Sequence, residues 1–387
     1  MKHFLTALSI LCGAVAYAME KTADFYFIDV GLGNATLVVS PGGETMLLDT
    51  GTRRTTDRLI QLVKMTGAKQ IDYLVCTHYH DDHYGAAVEI AEKFPVVHFV
   101  DHGPSVECGK SDDWWKERRG PWFQPGKGKL YDESFEAYVK AREKGRHLVV
   151  KAGDKIPIAG LDVQVVTAGA KAIGQPLPGA GAANPAGSGG ERPGRDDAED
   201  AQSIGVLVSH GKFRLVYLGD LTWNESLDLF SPVDKVGPVD AYVVTHHAQS
   251  FPREMGDYYW GLSACPPAEL AALRPRVAIL SLGSLGHKGG NADAIKTVLA
   301  SPGLEDLWQM EKIMGGGEAG HNPPDDFIAN INFGGRVGQV SANSSAPDAP
   351  KPPAGPAPHI KLSANADGSF QMSNGRNQFS KRYPARP

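Results

Sequence analysis

Past its first 18 residues, the 387-residue chain has no apolar run long enough to span a membrane. It also lacks a cationic excess. Lys and Arg number 39 against 44 Asp and Glu, a net charge of −5, so a large nucleic-acid interface has no support in composition. No internal repeat of the solenoid kind is present. Cysteine is scarce, at four residues. Cys76 falls in an apolar stretch and reads as a small hydrophobe, and Cys108 and Cys265 are the two that could pair in an oxidising compartment. The charged fraction of 21% and the hydrophobic fraction of 42% are ordinary for a soluble globular protein.

The first 18 residues stand apart. Lys2 opens a short cationic region, Phe4 to Val15 is mostly apolar, and Ala16-Tyr17-Ala18 has the small-x-small pattern of a cleavage site. Residues 1–18 therefore read as a secretory signal peptide, and the mature chain is expected to start at Met19 and to be soluble and exported, periplasmic or secreted. Cys12 follows Leu11 rather than a small residue, which argues against a lipid anchor. Residues 19–340 read as one domain with a Gly/Pro/Ala-rich flexible insertion at 169–200. Residues 341–358 read as a Pro/Ala-rich linker, and 359–387 as a C-terminal tail with a hairpin around Asp367-Gly368.

The chain is organised around Thr77 to Gly85, T-H-Y-H-D-D-H-Y-G. An apolar, β-branched run from Ile71 to Cys76 precedes it, and a helical stripe from Tyr84 to Phe94 follows. The cluster thus sits where a strand hands over to a helix. One aspartate there serves as a helix cap, but capping does not account for His78, His80 and His83 together. Imidazoles and carboxylates packed this tightly suit borderline metal ions such as zinc.

Other strands deliver acids and imidazoles to their ends. Thr45 to Leu48 leads into Asp49-Thr50-Gly51, where the aspartate is either a turn former or a buried carboxylate needing a partner. The hairpin of Ile204–Ser209 and Phe213–Leu218 ends in Gly219-Asp220. Asp240 to Thr245 ends in His246-His247, and Val277 to Ser281 runs into a Gly-rich loop with His287. Residues 101–132 read as an irregular aromatic loop, a lid or a packed surface insertion, followed by a charged helix from Glu133 to Lys144.

With these residues collected, the sequence resembles the metallo-β-lactamase superfamily. His78-Tyr79-His80-Asp81-Asp82-His83 matches its H-x-H-x-D-H motif, and Asp49, Gly219-Asp220 and His247 follow the superfamily's order. Within it, Asp29-Val30-Gly31-Leu32-Gly33-Asn34 and His246-His247-Ala248-Gln249-Ser250 are similar to the soluble hydrolase domain of DNA-uptake competence proteins and their stand-alone relatives. Leu32, Asn34 and Ala248 depart from that branch's pattern, and the channel of the competence proteins is lacking.

The resemblance implies an α/β fold, the αββα four-layer sandwich, and two Zn2+ ions sharing a hydroxide. His78 and His80 would hold the first zinc. Asp82, His83 and His247 would hold the second, with Asp220 bridging and Asp49 orienting a ligand imidazole. The catalytic set is then Asp82, Asp220 and Asp49. The third ligand of the first zinc is open between Asp200, His147 and His210, with Asp200 fitting best. Of the two adjacent histidines either could be the ligand, with His247 preferred and His246 then a substrate contact, and His287 either faces substrate or is an incidental loop histidine. Phosphodiesters or phosphoesters are the leading substrates, with β-lactams or lactones as runner-up. A metal-binding but catalytically idle surface protein is the reading from another class.

Overall fold

The computed structural model describes residues 21–120, 124–187, 191–194, 197–282, 289–313, 320–331 and 355–387. Residues 1–18, read above as a signal peptide, His287 and most of the 341–358 stretch lie outside the described residues.

Short strands rich in Val, Ile, Leu and Phe assemble two sheets. The first contains β1 (Ala23–Ile28), β2 (Thr36–Val39), β3 (Thr45–Leu48), β4 (Ile71–Val75), β5 (Val96–Asp101) and β6 (Arg146–Val149). The second contains β7 (Lys155–Ile156), β8 (Asp162–Thr167), β9 (Gly205–His210), β10 (Phe213–Tyr217), β11 (Ala241–Val243), β12 (Val277–Leu280), β13 (Asp306–Glu311) and β14 (Ile328–Asn330). The C-terminal stretch returns to the first sheet. β15 (His359–Ala364) pairs antiparallel with β1, and β16 (Phe370–Asn374) and β17 (Ser380–Tyr383) extend the meander, giving the order β17-β16-β15-β1-β2-β3-β4-β5-β6. The expected terminal hairpin is thus followed by a third strand and forms one wing of a nine-stranded sheet.

Strand alternation sorts the side chains into layers. Phe25, Phe27, Phe213, Leu215 and Tyr217 point between the sheets, together with Met46, Ile279 and Trp308. The opposite face of the first sheet, through Leu37, Leu47, Leu74 and Phe99, is covered by α1 (Thr56–Met65), α3 (Ala87–Lys93) and α5 (Lys127–Arg142). The outer face of the second, through Leu207, Val216, Tyr242 and Leu280, is covered by α6 (Trp223–Phe230), α8 (Pro267–Leu273) and α9 (Ala292–Leu299). Four layers result, helices–sheet–sheet–helices.

Two local expectations change, and one open alternative is decided. The stretch expected to be irregular, 101–132, holds α4 (Asp112–Arg119), whose Ser111 cap accepts from Trp114 N and whose Trp115 is buried, and α5 begins at Lys127 rather than Glu133. The helix after the histidine cluster is split into α2 (Asp81–Tyr84) and α3. No disulfide joins Cys108 to Cys265, which pack in the outer layers of opposite sheets, Cys265 buried beside Tyr242. In the 169–200 stretch, described backbone runs alongside residues 232–235, with Leu177 N, Gly181 N and Asn184 N donating to Lys235, Asp234 and Pro232 carbonyls. It ends in a single helical turn at Asp200–Gln202.

Candidate metal centre

Parallel pairing of β3, β4 and β5, and of β10, β11 and β12, brings their C-terminal ends to one rim. The turn after β4 carries His78 and His80, and α2 carries Asp82 and His83. The turn after β10 carries Asp220. The turn after β11 carries His246 and His247. Asp82, His83, Asp220 and His247 each place a donor atom within 4.8 Å of the others, and so do His78, His80 and Asp200. Asp200, Asp220 and His246 form a further such group joining the two.

In the first set, His83 Nε2 lies 3.1 Å from Asp220 Oδ1, and His247 Nε2 lies 3.4 Å from the same oxygen and 3.6 Å from Asp82 Oδ2. His83 Nε2 and His247 Nε2 are 3.3 Å apart. Two nitrogens bound at roughly 2.0–2.1 Å to one tetrahedral ion lie about 3.3 Å from each other, so this spacing fits a shared metal. In the other set, Asp200 Oδ1 is 2.9 Å from His80 Nδ1 and 3.5 Å from His78 Nε2, and that His78 nitrogen is buried without a hydrogen bond.

The opposite nitrogen of each imidazole is already engaged. His83 Nδ1 meets Asp49 Oδ2 at 2.7 Å, and His247 Nδ1 donates to the Ser281 carbonyl at 3.0 Å. His78 Nδ1 meets Thr77 Oγ1 at 3.1 Å, and His80 Nε2 meets Glu107 Oε2 at 3.3 Å. Metal-binding imidazoles are generally held this way, which fixes ring and tautomer. Asp49 is itself clamped, accepting from Thr77 N, Thr77 Oγ1 and Tyr217 OH.

These charges perturb one another. Burial disfavours the His80 imidazolium, but Asp200 and Glu107 outweigh it and raise its pKa to about 10. His83 is likewise raised well above the usual range, burial being overcome by Asp220 and Asp49, and His247 is raised by Asp220 against burial. Burial pushes the Asp220 carboxyl up, yet His247, His83 and His246 hold it well below the usual carboxylate range. His78 is lowered by burial and by the neighbouring His83 and His80.

The turn presenting His246 and His247 is strained. His246, His247 and Ala248 have φ of 46, 55 and 54° in succession, a left-handed run costing about 1–2 kcal/mol per residue for non-glycine side chains. Its surroundings hold it in place. Gly290 N and Asn291 N donate to the His247 and Ala248 carbonyls, and buried Glu269 accepts from Thr245 Oγ1 at 2.7 Å and Tyr242 OH at 2.5 Å.

His147, on edge strand β6, binds Asp101 at the end of β5, and His210 ends β9 before the β9–β10 turn. Neither joins a donor group, whereas Asp200 does. Sequence reasoning missed Glu107, Tyr217 and Glu269. Tyr217 carried a signal, since alternation along β10 turns it inward beside Gly219-Asp220. Glu107 carried none.

The Gly33 turn rests on the centre. A β-carbon there would sit 1.7 Å from the Asp82 carbonyl oxygen, at φ +101°. Gly33→Ala is expected to displace Asp82 and His83 and weaken metal at that group by about 10-fold or more, measured by competition with a chromogenic chelator. Gly31→Ala, at a left-handed φ of +73° but with nothing within 4 Å, carries the backbone strain without the collision, and as the control should leave the affinity unchanged.

Residues 28–181 match the family model described as the Metallo-beta-lactamase superfamily. That span holds Asp49 and the His78–His83 cluster and stops short of Asp200, Asp220 and His247. No curated protein sequence matches the chain. Among solved structures, CmlA, a diiron β-hydroxylase from Streptomyces venezuelae, is similar at 14% identity and TM-score 0.40, covering 72% of this chain and 49% of its own. The metallo-beta-lactamase fold protein YhfI from Bacillus subtilis is similar at 11% identity and TM-score 0.41, covering 74% and 96%. This chain spans about half the length of the CmlA chains it matches, 52% and 49%. The fold is mixed α/β with two sheets, consistent with the metallo-β-lactamase sandwich.

Proposed function

We propose that the chain is a dinuclear-zinc hydrolase of phosphodiester or phosphoester substrates. The observation that carries this reading is the pair of donor groups linked through Asp200, Asp220 and His246, with the outward nitrogen of each of four imidazoles already held. His78, His80 and Asp200 would hold the first ion, and Asp82, His83 and His247 the second, with Asp220 between them. Two such ions, when bound, lower the pKa of a shared water and stabilise charge on a phosphoryl oxygen.

The chain's own residues supply the rest. Asp49 fixes the His83 ring, and Asp220 sets the separation of the two groups. To His246, whose Nε2 lies 3.4 Å from Asp220 Oδ2, the reading gives a contact with substrate. Imidazole–carboxylate donor sets also suit iron, so elemental analysis of protein purified without chelators decides the metal. One to two equivalents of zinc are expected, and iron would overturn the zinc assignment.

The substrate class rests on the two stretches similar to the competence-type hydrolases, 29–34 and 246–250. Both frame the centre. Asn34 N donates to the Asp82 carbonyl at 3.2 Å, and Ser281, whose carbonyl holds His247, donates through Oγ to the Gly33 carbonyl. The test is a hydrolysis screen of zinc-loaded protein on an aryl phosphodiester, a phosphomonoester, a lactone and a chromogenic cephalosporin. Phosphodiester turnover should lead. Faster cephalosporin or lactone turnover would overturn the substrate class, and no turnover on any of the four would favour an idle metal-binding protein.

Export belongs to the same proposal, resting on Lys2, the apolar Phe4–Val15 and Ala16-Tyr17-Ala18. Among the described residues no helix is long and apolar enough to cross a membrane. Mass spectrometry of protein from its native host should find the N-terminus at Met19, and a chain retaining residues 1–18 would count against export.

A further inference from the structure

Two segments far apart in sequence meet behind His80. Residues 102–107 follow β5, and residues 197–200 close the Gly/Pro-rich excursion. Glu199 is fully buried and gives both carboxylate oxygens to the first segment. Its Oε1 meets His102 Nε2 at 2.8 Å, while Oε2 accepts from Ser105 Oγ at 3.2 Å and Val106 N at 3.0 Å. Glu107 answers in the other direction. It is fully buried too, and its Oε1 accepts from Glu199 N at 3.2 Å while its Oε2 meets His80 Nε2 at 3.3 Å. An ion pair from Arg118 on α4 to Asp197 holds the second segment further out.

A buried carboxylate costs several kcal/mol unless paired and hydrogen-bonded. The partners Glu107 has are the ring of one candidate ligand and the backbone immediately before another, Asp200. We propose that Glu107 is a positioning residue of the first metal site, holding His80 and the Asp200 turn in register as one unit. This rests on the two-metal reading above. Its consequence is that the first site, whose His78 and His80 come from the turn after β4, is completed by docking of the 102–107 and 197–200 segments, whereas the second is built on α2, on the ends of β10 and β11 and on Asp49. The two sites therefore respond differently to the same substitution.

The experiment is a zinc titration of the full chain against a chromogenic chelator, resolving two dissociation constants, for wild type and Glu107→Gln. Glutamine keeps the shape but removes the charge and one of the two acceptors. The weakened constant should rise about 10–100-fold, the usual effect of losing a partner behind a metal-bound histidine, and the other should not move. The second constant is an internal control, because general destabilisation would weaken both. Equal affinities in wild type and variant would overturn the role of Glu107 and leave the two-metal reading standing. A wild-type chain that binds a single ion would overturn both. Hydrogen exchange on the wild-type chain needs no variant. Zinc loading should slow exchange in residues 102–107 and 197–203 together, and loading that leaves 102–107 unaffected would overturn the proposal.

Discussion

Asp220→Asn is expected to lower turnover on the best substrate by about 100-fold or more, the order of loss seen when one strong transition-state contact is removed. The carboxylate is fully buried, its Oδ1 3.1 and 3.4 Å from His83 and His247 Nε2 and its Oδ2 3.4 Å from His246 Nε2. An amide offers one oxygen in place of two and presents N–H groups to nitrogens that should face a cation. The spacing of the two donor groups and the charge between them are lost together. Asp220 lies in a turn after β10, and Ser203 Oγ receives its backbone N–H at 3.2 Å, an interaction the substitution keeps. The zinc-loaded variant should therefore give a wild-type circular-dichroism spectrum. His210→Ala, at the far end of the β9–β10 hairpin, is the control and should leave kcat within about twofold. Full activity in Asp220→Asn would end the two-metal assignment.

Chelation is expected to abolish turnover, and zinc to restore it, with a pH dependence whose sign follows from the metal-free charges. His80 titrates at about 10 without metal, His83 is raised well above its ordinary range and His247 is raised as well. At pH 7.5 the ring of His80 carries a proton that an incoming ion must displace, and the upward shift of His83 acts in the same direction, so zinc uptake releases protons and apparent affinity rises with pH. The same shift acts on the metal-free fold. A raised imidazole contributes stability that is complete below its unfolded value near 6.5 and is lost as pH climbs through about 10 for His80. Raising the pH thus loosens the metal-free protein while tightening its hold on zinc. Calorimetry in two buffers of different ionisation enthalpy counts the protons. Zinc binding with none released would contradict the arrangement around His80 and His83.

The sequence alone determined what depends on neighbours in the chain. A strand pattern running into a polar turn and then a helical stripe placed His78, His80, Asp82 and His83 together, because residues in one turn are brought together by a few backbone torsions. Strand alternation and its termination likewise put Asp49, Asp220 and His246-His247 at strand ends. Alternation also set the layers, since an apolar face every second residue has to be covered on each side of a sheet.

What the sequence left open was decided by contacts between segments far apart. Asp200, His147 and His210 were all open as the third ligand, with Asp200 the best placed along the chain. Pairing of β9 with β8 and β10 carries His210 to the far end, Asp101 takes His147, and the turn before β9 sets Asp200 against His80. Glu107 stands in a stretch with no readable period, and its role exists only because Glu199, 92 residues on, folds back against it. The left-handed turn at His246–Ala248 shows the same thing: no local preference favours it, and a buried carboxylate from α8 with carbonyl acceptors matched to residues 290 and 291 outweighs the strain. Local preferences of about 1 kcal/mol decide an element, while a buried charge worth several decides where elements meet. The second kind of term appears only when the chain has closed on itself.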